Sequence, residues 1–141
     1  MIRIEGLSEL RRRIDKDSEM VSREMAKIVF LTALDVQRRA RESIQGGRKS
    51  GTIYQKYNPR RLHQASAAGE APASDTGRLA GSIQIKRYGT SPRADVDVKA
   101  KYGYRLEYNQ KRPFMRPALE ASLPKLDSRL TTLANRVRTD A

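Results

Sequence analysis

Apolar side chains recur along this chain in two periods, and the change of period divides it into elements. Leu7, Leu10 and Ile14 share one helical face, and Val21, Met25, Ile28, Thr32, Val36, Ala40 and Ile44 continue it at steps of three or four. Such spacing predicts one long amphipathic helix, with Ser8 as its cap and Asp17-Ser18 the place where a break would fall. Gly46-Gly47 stops it. Between Ile28 and Leu34 the apolar residues widen to most of the circumference, so the middle of the helix is expected to be buried against a sheet or another subunit. The first reading is of the domain's main core helix rather than of a dedicated partner-binding helix. Ahead of it, Met1 to Gly6 alternates for a few residues and predicts a short edge strand.

Farther on the period is two. Ile83 and Ile85 alternate with Ser82, Gln84 and Lys86, and Ala94, Val96, Val98 and Ala100 alternate with Asp95, Asp97 and Lys99. Gly89-Thr90-Ser91-Pro92 between them supplies turn chemistry, which makes the two runs a β-hairpin. Asp95 and Asp97 invite a carboxylate-pair or metal reading, but a spacing of two puts both on the outward face as solvated charge. From Pro117 a last helix is expected, because proline lacks only an amide that the first turn does not use. Leu119, Leu123, Leu126, Leu130, Leu133 and Val137 form a seam along it, with the N-terminal helix as the facing partner and Pro124 as a point of kinking. Together these elements predict an α+β fold: a long N-terminal helix and a C-terminal helix packed on a small antiparallel sheet that contains the 82–100 hairpin. At 141 residues this is a single domain, 1–141.

Charge changes the picture. There are 29 basic and 16 acidic residues, net +13, and the stretch 45–66 holds five basic residues and no acidic one. Its sequence, GGRKSGTIYQKYNPRRLHQAS over residues 46–66, predicts a mobile basic loop, extending over 45–75, that orders against a partner. Arg48, Lys49, Lys56, Arg60 and Arg61 are candidates for DNA phosphate or subunit contacts, and Tyr54 and Tyr57 could stack. A solvated charged loop explains the same residues equally well. A phosphate-binding P-loop is excluded, since Lys49-Ser50 lacks the preceding glycine and follows a helix. The chain has no cysteine and one histidine, His63, which removes thiolate metal sites, cysteine nucleophiles and histidine-based dyads. No apolar run approaches eighteen residues, so a soluble protein with no membrane partner, made in the cytoplasm, is expected.

One stretch is neither helix nor strand by period. Ala67 to Ile85 reads AAGEAPASDTGRLAGSIQI: a shaped loop, a helical turn capped by Asp75 or Thr76 and ended by Gly81, then the strand. Gly69, Pro72, Asp75, Thr76, Gly77, Leu79, Ser82 and Ile83 in this order resemble the G-x-x-P…D-T-G-x-L-x-x-S-I signature of the head-tail joining (tail-completion, or neck) proteins of long-tailed bacteriophages. A second stretch, YGYRLEYNQKRPFMRPALE, is similar to that family's Y-x-x-x-x-E segment followed by R-P-F-x-x-P-A-L, through Tyr102, Leu106, Glu107, Arg112, Pro113, Phe114, Pro117, Ala118 and Leu119. The sequence departs where the family commonly has a glycine-rich turn. Tyr108-Asn109-Gln110 stands there, with Asn109 the residue suited to a left-handed conformation. Phe114 is expected as a core plug.

The resemblance implies a virion structural protein without catalysis or cofactor. Such proteins form a closed homo-oligomeric ring at the neck, between connector and tail-tube proteins, and reside in the cytoplasm only during assembly. The positive charge suits a channel filled with DNA. Basicity taken alone supports a different class, a small nucleic-acid-binding protein associated with the ribosome or nucleoid. An enzyme would need Glu70, Asp75 or Glu107 to act as a lone acid or base.

Overall fold

In the computed structural model, which describes residues 7–46, 49–57, 60–74 and 77–140, the long periodic stretch is one unbroken helix, α1 (Leu7–Gly46). Asp17-Ser18 does not interrupt it, and Ser8 lies inside it rather than capping it. The edge strand expected over residues 1–6 falls outside the described residues, as do the side chains of Leu7, Leu10 and Ile14. Forty residues span about 60 Å at 1.5 Å per residue. Its C-terminal half buries Ala33, Val36, Ala40 and Ile44, while Leu31 and Leu34 remain exposed. The apolar widening around Ile28–Leu34 is therefore covered only in part by this chain.

Four strands form two separate antiparallel pairs. β1 (Ile53–Tyr57) pairs with β2 (Arg60–Gln64), Tyr57 lying opposite Arg60. β3 (Ile83–Arg87) pairs with β4 (Ala94–Val98), Ile83 opposite Val98. The second pair is the expected hairpin, and it packs on α1 through Ile83 and through Arg87, whose guanidinium lies 4.1 Å from the centre of the Phe30 ring. The first pair lies within the 45–75 stretch expected as a mobile basic loop, where residues 53–57 and 60–64 are strands. Neither makes extensive contact with any other helix or strand among the described residues.

A short helix, α2 (Arg78–Gly81), leads into β3, and a π-helical turn (Arg105–Asn109) leads into α3 (Met115–Asp140). α3 begins two residues before Pro117 and continues as one helix through Pro124. It packs on α1, as expected, yet on a shifted face. Ala118, Ser122 and Leu133 are buried, whereas Leu119 and Leu123 are exposed. Ala118 shares a core cluster with Val36 and Ala40, and Ser122 one turn on is fully buried, so small residues face α1 and the first two leucines lie at the rim. Across the helices Arg129 donates to Asp35 Oδ2 at 3.0 Å, and Arg136 pairs with Glu24 at 3.4 Å.

The core lies where these pieces converge. Val36, Ala40, Ile44, Leu79, Ala80, Ile83, Phe114 and Ala118 form one cluster, flanked by Val96, Val98 and Leu106. Polar side chains of α1 close its edge: Gln37 and Arg41 both donate to the Ile83 carbonyl, at 2.8 and 2.9 Å, and Arg41 also reaches the Ala80 carbonyl at 3.0 Å.

Candidate functional site

The two sequence stretches that carry the signature residues meet in space. Leu79 and Phe114 sit in the same core cluster, Phe114 almost fully enclosed at 1% exposure as the plug expected of it. Gly69 adopts φ 89, a conformation that favours glycine, and its amide donates to the Lys111 carbonyl at 2.7 Å. Arg112 answers across the same seam, donating to the Ser66 carbonyl at 3.1 Å and to Ser66 Oγ at 2.9 Å. Gly77, at φ 77, is the N-cap of α2 and supplies the left-handed turn into it. Asp75 and Thr76, the expected side-chain caps, lie outside the described residues. Gly81 closes α2 as expected, and Ser82 Oγ donates back to the Leu79 carbonyl at 2.8 Å. A cleft of about 340 Å³ remains between the stretches, lined by Pro72, Gly77, Leu79, Tyr102 and Arg112.

Glu107 has a role that its sequence position does not announce. Its Oε2 accepts the backbone amides of Phe114 at 2.7 Å and Met115 at 3.1 Å, and its Oε1 accepts Arg116 at 2.9 Å. These are orphan donors at the start of α3, and a carboxylate there also complements the helix dipole. The π-helical turn brings Glu107 back to them. Lys111, at φ 52, makes the left-handed step that had been expected of Asn109; Asn109 instead ends the π turn. Pro113 and Pro117 flank the capped start, Pro113 half-buried and Pro117 exposed.

Glu70 plays a similar part in the first stretch. Its carboxylate accepts the amides of Ser50 at 2.9 Å and Ala67 at 3.1 Å, and the Ser50 hydroxyl bonds to it as well. Neither acid is a free general base, since each is committed to backbone donors. Lys49, a candidate for DNA phosphate or subunit contact, donates to the Ser43 carbonyl at 2.8 Å and the Ala71 carbonyl at 2.7 Å. Burial pushes its ammonium pKa down, with Glu70 opposing the shift. Lys49 therefore ties the end of α1 to the Gly69–Pro72 loop. Arg48 lies outside the described residues.

Lys56, Arg60 and Arg61 fall on the β1–β2 hairpin. Alternation sorts its side chains into two faces. One carries Tyr54, Lys56, Arg61 and His63; Lys56, Arg61 and His63 are half-buried. The other carries Ile53, Gln55, Tyr57, Arg60, Leu62 and Gln64, all exposed, with Ile53 at 60%, Tyr57 at 77% and Leu62 at 72%. Gly51 holds the hairpin base shut: its amide donates to the Ala65 carbonyl at 2.8 Å, and a Cβ there would meet that oxygen at 2.6 Å.

Two surface features were not singled out by sequence. A groove of about 560 Å³ runs between α1, β4 and α3, its walls mostly apolar and including Val29, Ala33, Val96, Tyr108, Met115 and Leu119. Beside it, Tyr104 and Tyr108 are 70% and 65% exposed with ring centres 4.7 Å apart. On the other hairpin Asp95 bonds to the Tyr88 hydroxyl and to Arg93, and Asp97 pairs with Lys99 at 2.7 Å. Both carboxylates are thus outward and charge-paired.

Comparison of this chain with protein-family models, with curated proteins and with solved structures gives no match. No helix is long and apolar enough to cross a membrane among the described residues.

Proposed function

We propose that this chain is a virion structural subunit of a long-tailed bacteriophage, a ring-forming neck or tail-completion protein that joins the DNA-filled head to the tail. One observation carries the reading. The residues that resemble the family signature, separated by up to about fifty positions in sequence, serve one piece of architecture: Gly69 and Gly77 make the left-handed turns, Leu79 and Phe114 fill the shared core, and Glu107 caps the helix that Phe114 and Pro117 begin. Among the described residues, Gly69, Gly77, Leu79, Glu107 and Phe114 each have a physical task in this arrangement, and that supports the reading. The surface adds support, for the chain carries +13 overall and leaves exposed both a mostly apolar groove and a hairpin face that bears Ile53, Tyr57 and Leu62.

In this reading the ring's partners are further copies of the chain, the connector and the tail tube. The hairpin cations and the α3 arginines face DNA in the channel or acidic patches on adjoining rings. The test is complementation in extracts. DNA-filled heads and free tails, taken from a phage defective in this gene, should yield infectious particles when the purified chain is added. No rise in infectious titre with added protein contradicts the reading.

A second reading has its own observation. The exposed Tyr104–Tyr108 pair, interleaved with Lys101, Arg105 and Lys111, is the kind of platform on which unpaired bases stack. If the chain is a free-standing nucleic-acid-binding protein, the isolated protein should bind single-stranded DNA or RNA with affinity falling steeply with salt, and Tyr104→Ala should weaken it.

A further inference from the structure

We infer that Arg39 is the base of a carboxylate-binding pocket where the end of α1 meets the start of α3, one that takes a monocarboxylate carried on a short apolar stem. The site stands whether or not the chain joins heads to tails.

The neighbouring arginines of α1 all have partners. Arg38 pairs with Asp35 at 3.7 Å and with Glu42 at 3.3 Å, and Arg41 donates to the Ala80 and Ile83 carbonyls. Arg39, half-buried, has none among the described residues, and its Nε is enclosed without an acceptor. The acids that would serve it from the same helix, four residues before and three after, are both taken. Asp35 accepts Arg129 at 3.0 Å besides Arg38, and Glu42 is held by Arg38. An enclosed N–H with no acceptor is costly, and no other side chain among the described residues carries a buried nitrogen or oxygen in that state. The missing acceptor is therefore peculiar to this position.

Arg39 also lines a pocket of about 640 Å³, with Ala71, Pro113, Pro117, Ala118 and Ala121 as apolar walls. Their small side chains leave room for an aliphatic stem. Glu42 lines the same pocket with its charge set against Arg38, which favours a singly charged ligand over a doubly charged phosphate. A carboxylate presents two coplanar oxygens, the match of a guanidinium edge. One oxygen meets an Nη, and a small turn of the side chain hands the other to Nε. Relief of the enclosed donor then adds to the ion pair, an increment that a fully solvated arginine lacks.

The Arg39 Nε–H is itself the reporter. Its magnetic resonance signal in the isotope-labelled full chain, assigned through bonds to the Arg39 backbone, is followed while sodium propionate is added at neutral pH, with sodium chloride of equal ionic strength as the control. The signal should move along a saturating curve with propionate and stay nearly still in chloride. Backbone amides of Ala118 and Ala121 should follow the same curve, and in Arg39→Gln, checked for folding by circular dichroism, their affinity for propionate should fall at least roughly tenfold, the loss of a charge-assisted bond. Inorganic phosphate should bind more weakly than propionate.

One further probe separates the sources of the carboxylate. N-acetylglutamate N-methylamide binding at least as tightly as propionate places the natural ligand on a protein side chain; its exclusion places the ligand among free small acids. A linear response shared by propionate and chloride, an unchanged curve in Arg39→Gln, or tighter binding of phosphate than of propionate overturns the assignment. The measurement on the unaltered chain holds even where a variant fails to fold.

Discussion

At the scale of single residues, Glu107 serves as the cap of α3. Three amides converge on Glu107, so its removal leaves orphan donors at the start of α3 and a helix dipole without its counter-charge. Glu107→Ala should cost about 2 kcal/mol, by analogy with cap deletions and lost charge-assisted bonds, and Glu107→Gln less. Urea denaturation measures both, and an Ala variant as stable as the parent would contradict the role. Asp95 gives a pH signature. The Tyr88 hydroxyl and then Arg93 hold its carboxyl below the ordinary range. A carboxyl depressed in the folded state adds stability above its ordinary pKa and loses it as pH falls through the folded value. The wild type's small advantage over Asp95→Asn should therefore be level above about pH 4 and decline below it. The effect is modest because the pair is solvent-exposed. Urea midpoints collected from about pH 6 to about pH 2 decide it; a difference that stays constant throughout rejects the assignment.

At the scale of elements, legibility follows burial. α1 and the β3–β4 hairpin could be read from the sequence because each buries one face, which forces apolar residues into the period of 3.6 or 2. β1 and β2 leave one face exposed and half-bury only Lys56, Arg61 and His63 on the other, so neither face demands an apolar alternation. Without that constraint IYQKY and RRLHQ read as a basic loop. α3 was legible as a helix but not in its rotation: leucine spacing favoured a seam through Leu119 and Leu123, whereas close approach favoured Ala118 and Ser122. The motif stretches were visible as letters, yet their joint task was not. The cap from Glu107 reaches eight positions forward to Met115 through a π turn that no local pattern encodes. Gly51 was likewise invisible, since its requirement comes from the close approach of the Ala65 and Ser66 backbone. Gly51→Ala should open the base of the hairpin, read as faster hydrogen exchange at the Gly51-equivalent and Ala65 amides while the α1 amides keep their protection. Unchanged exchange at those positions would contradict the geometry.

For the whole molecule, a long helix and a compact core leave a hairpin face and a groove exposed among the described residues, and the charge is strongly positive. The core explains folding, and the open surfaces are what the joining role would use. Reversing the charge of the exposed Arg60, as Arg60→Glu, should leave the purified variant melting as the parent does, yet phage carrying it should give at least roughly tenfold fewer joined particles, a loss on the scale of a disrupted contact hot spot. Normal particle yield would remove the hairpin from the mechanism. The most direct test of the central claim is electron microscopy of particles from a phage with a stop codon in this gene. DNA-filled heads lying beside separate, complete tails are the predicted result; complete, tailed and infectious particles would contradict it.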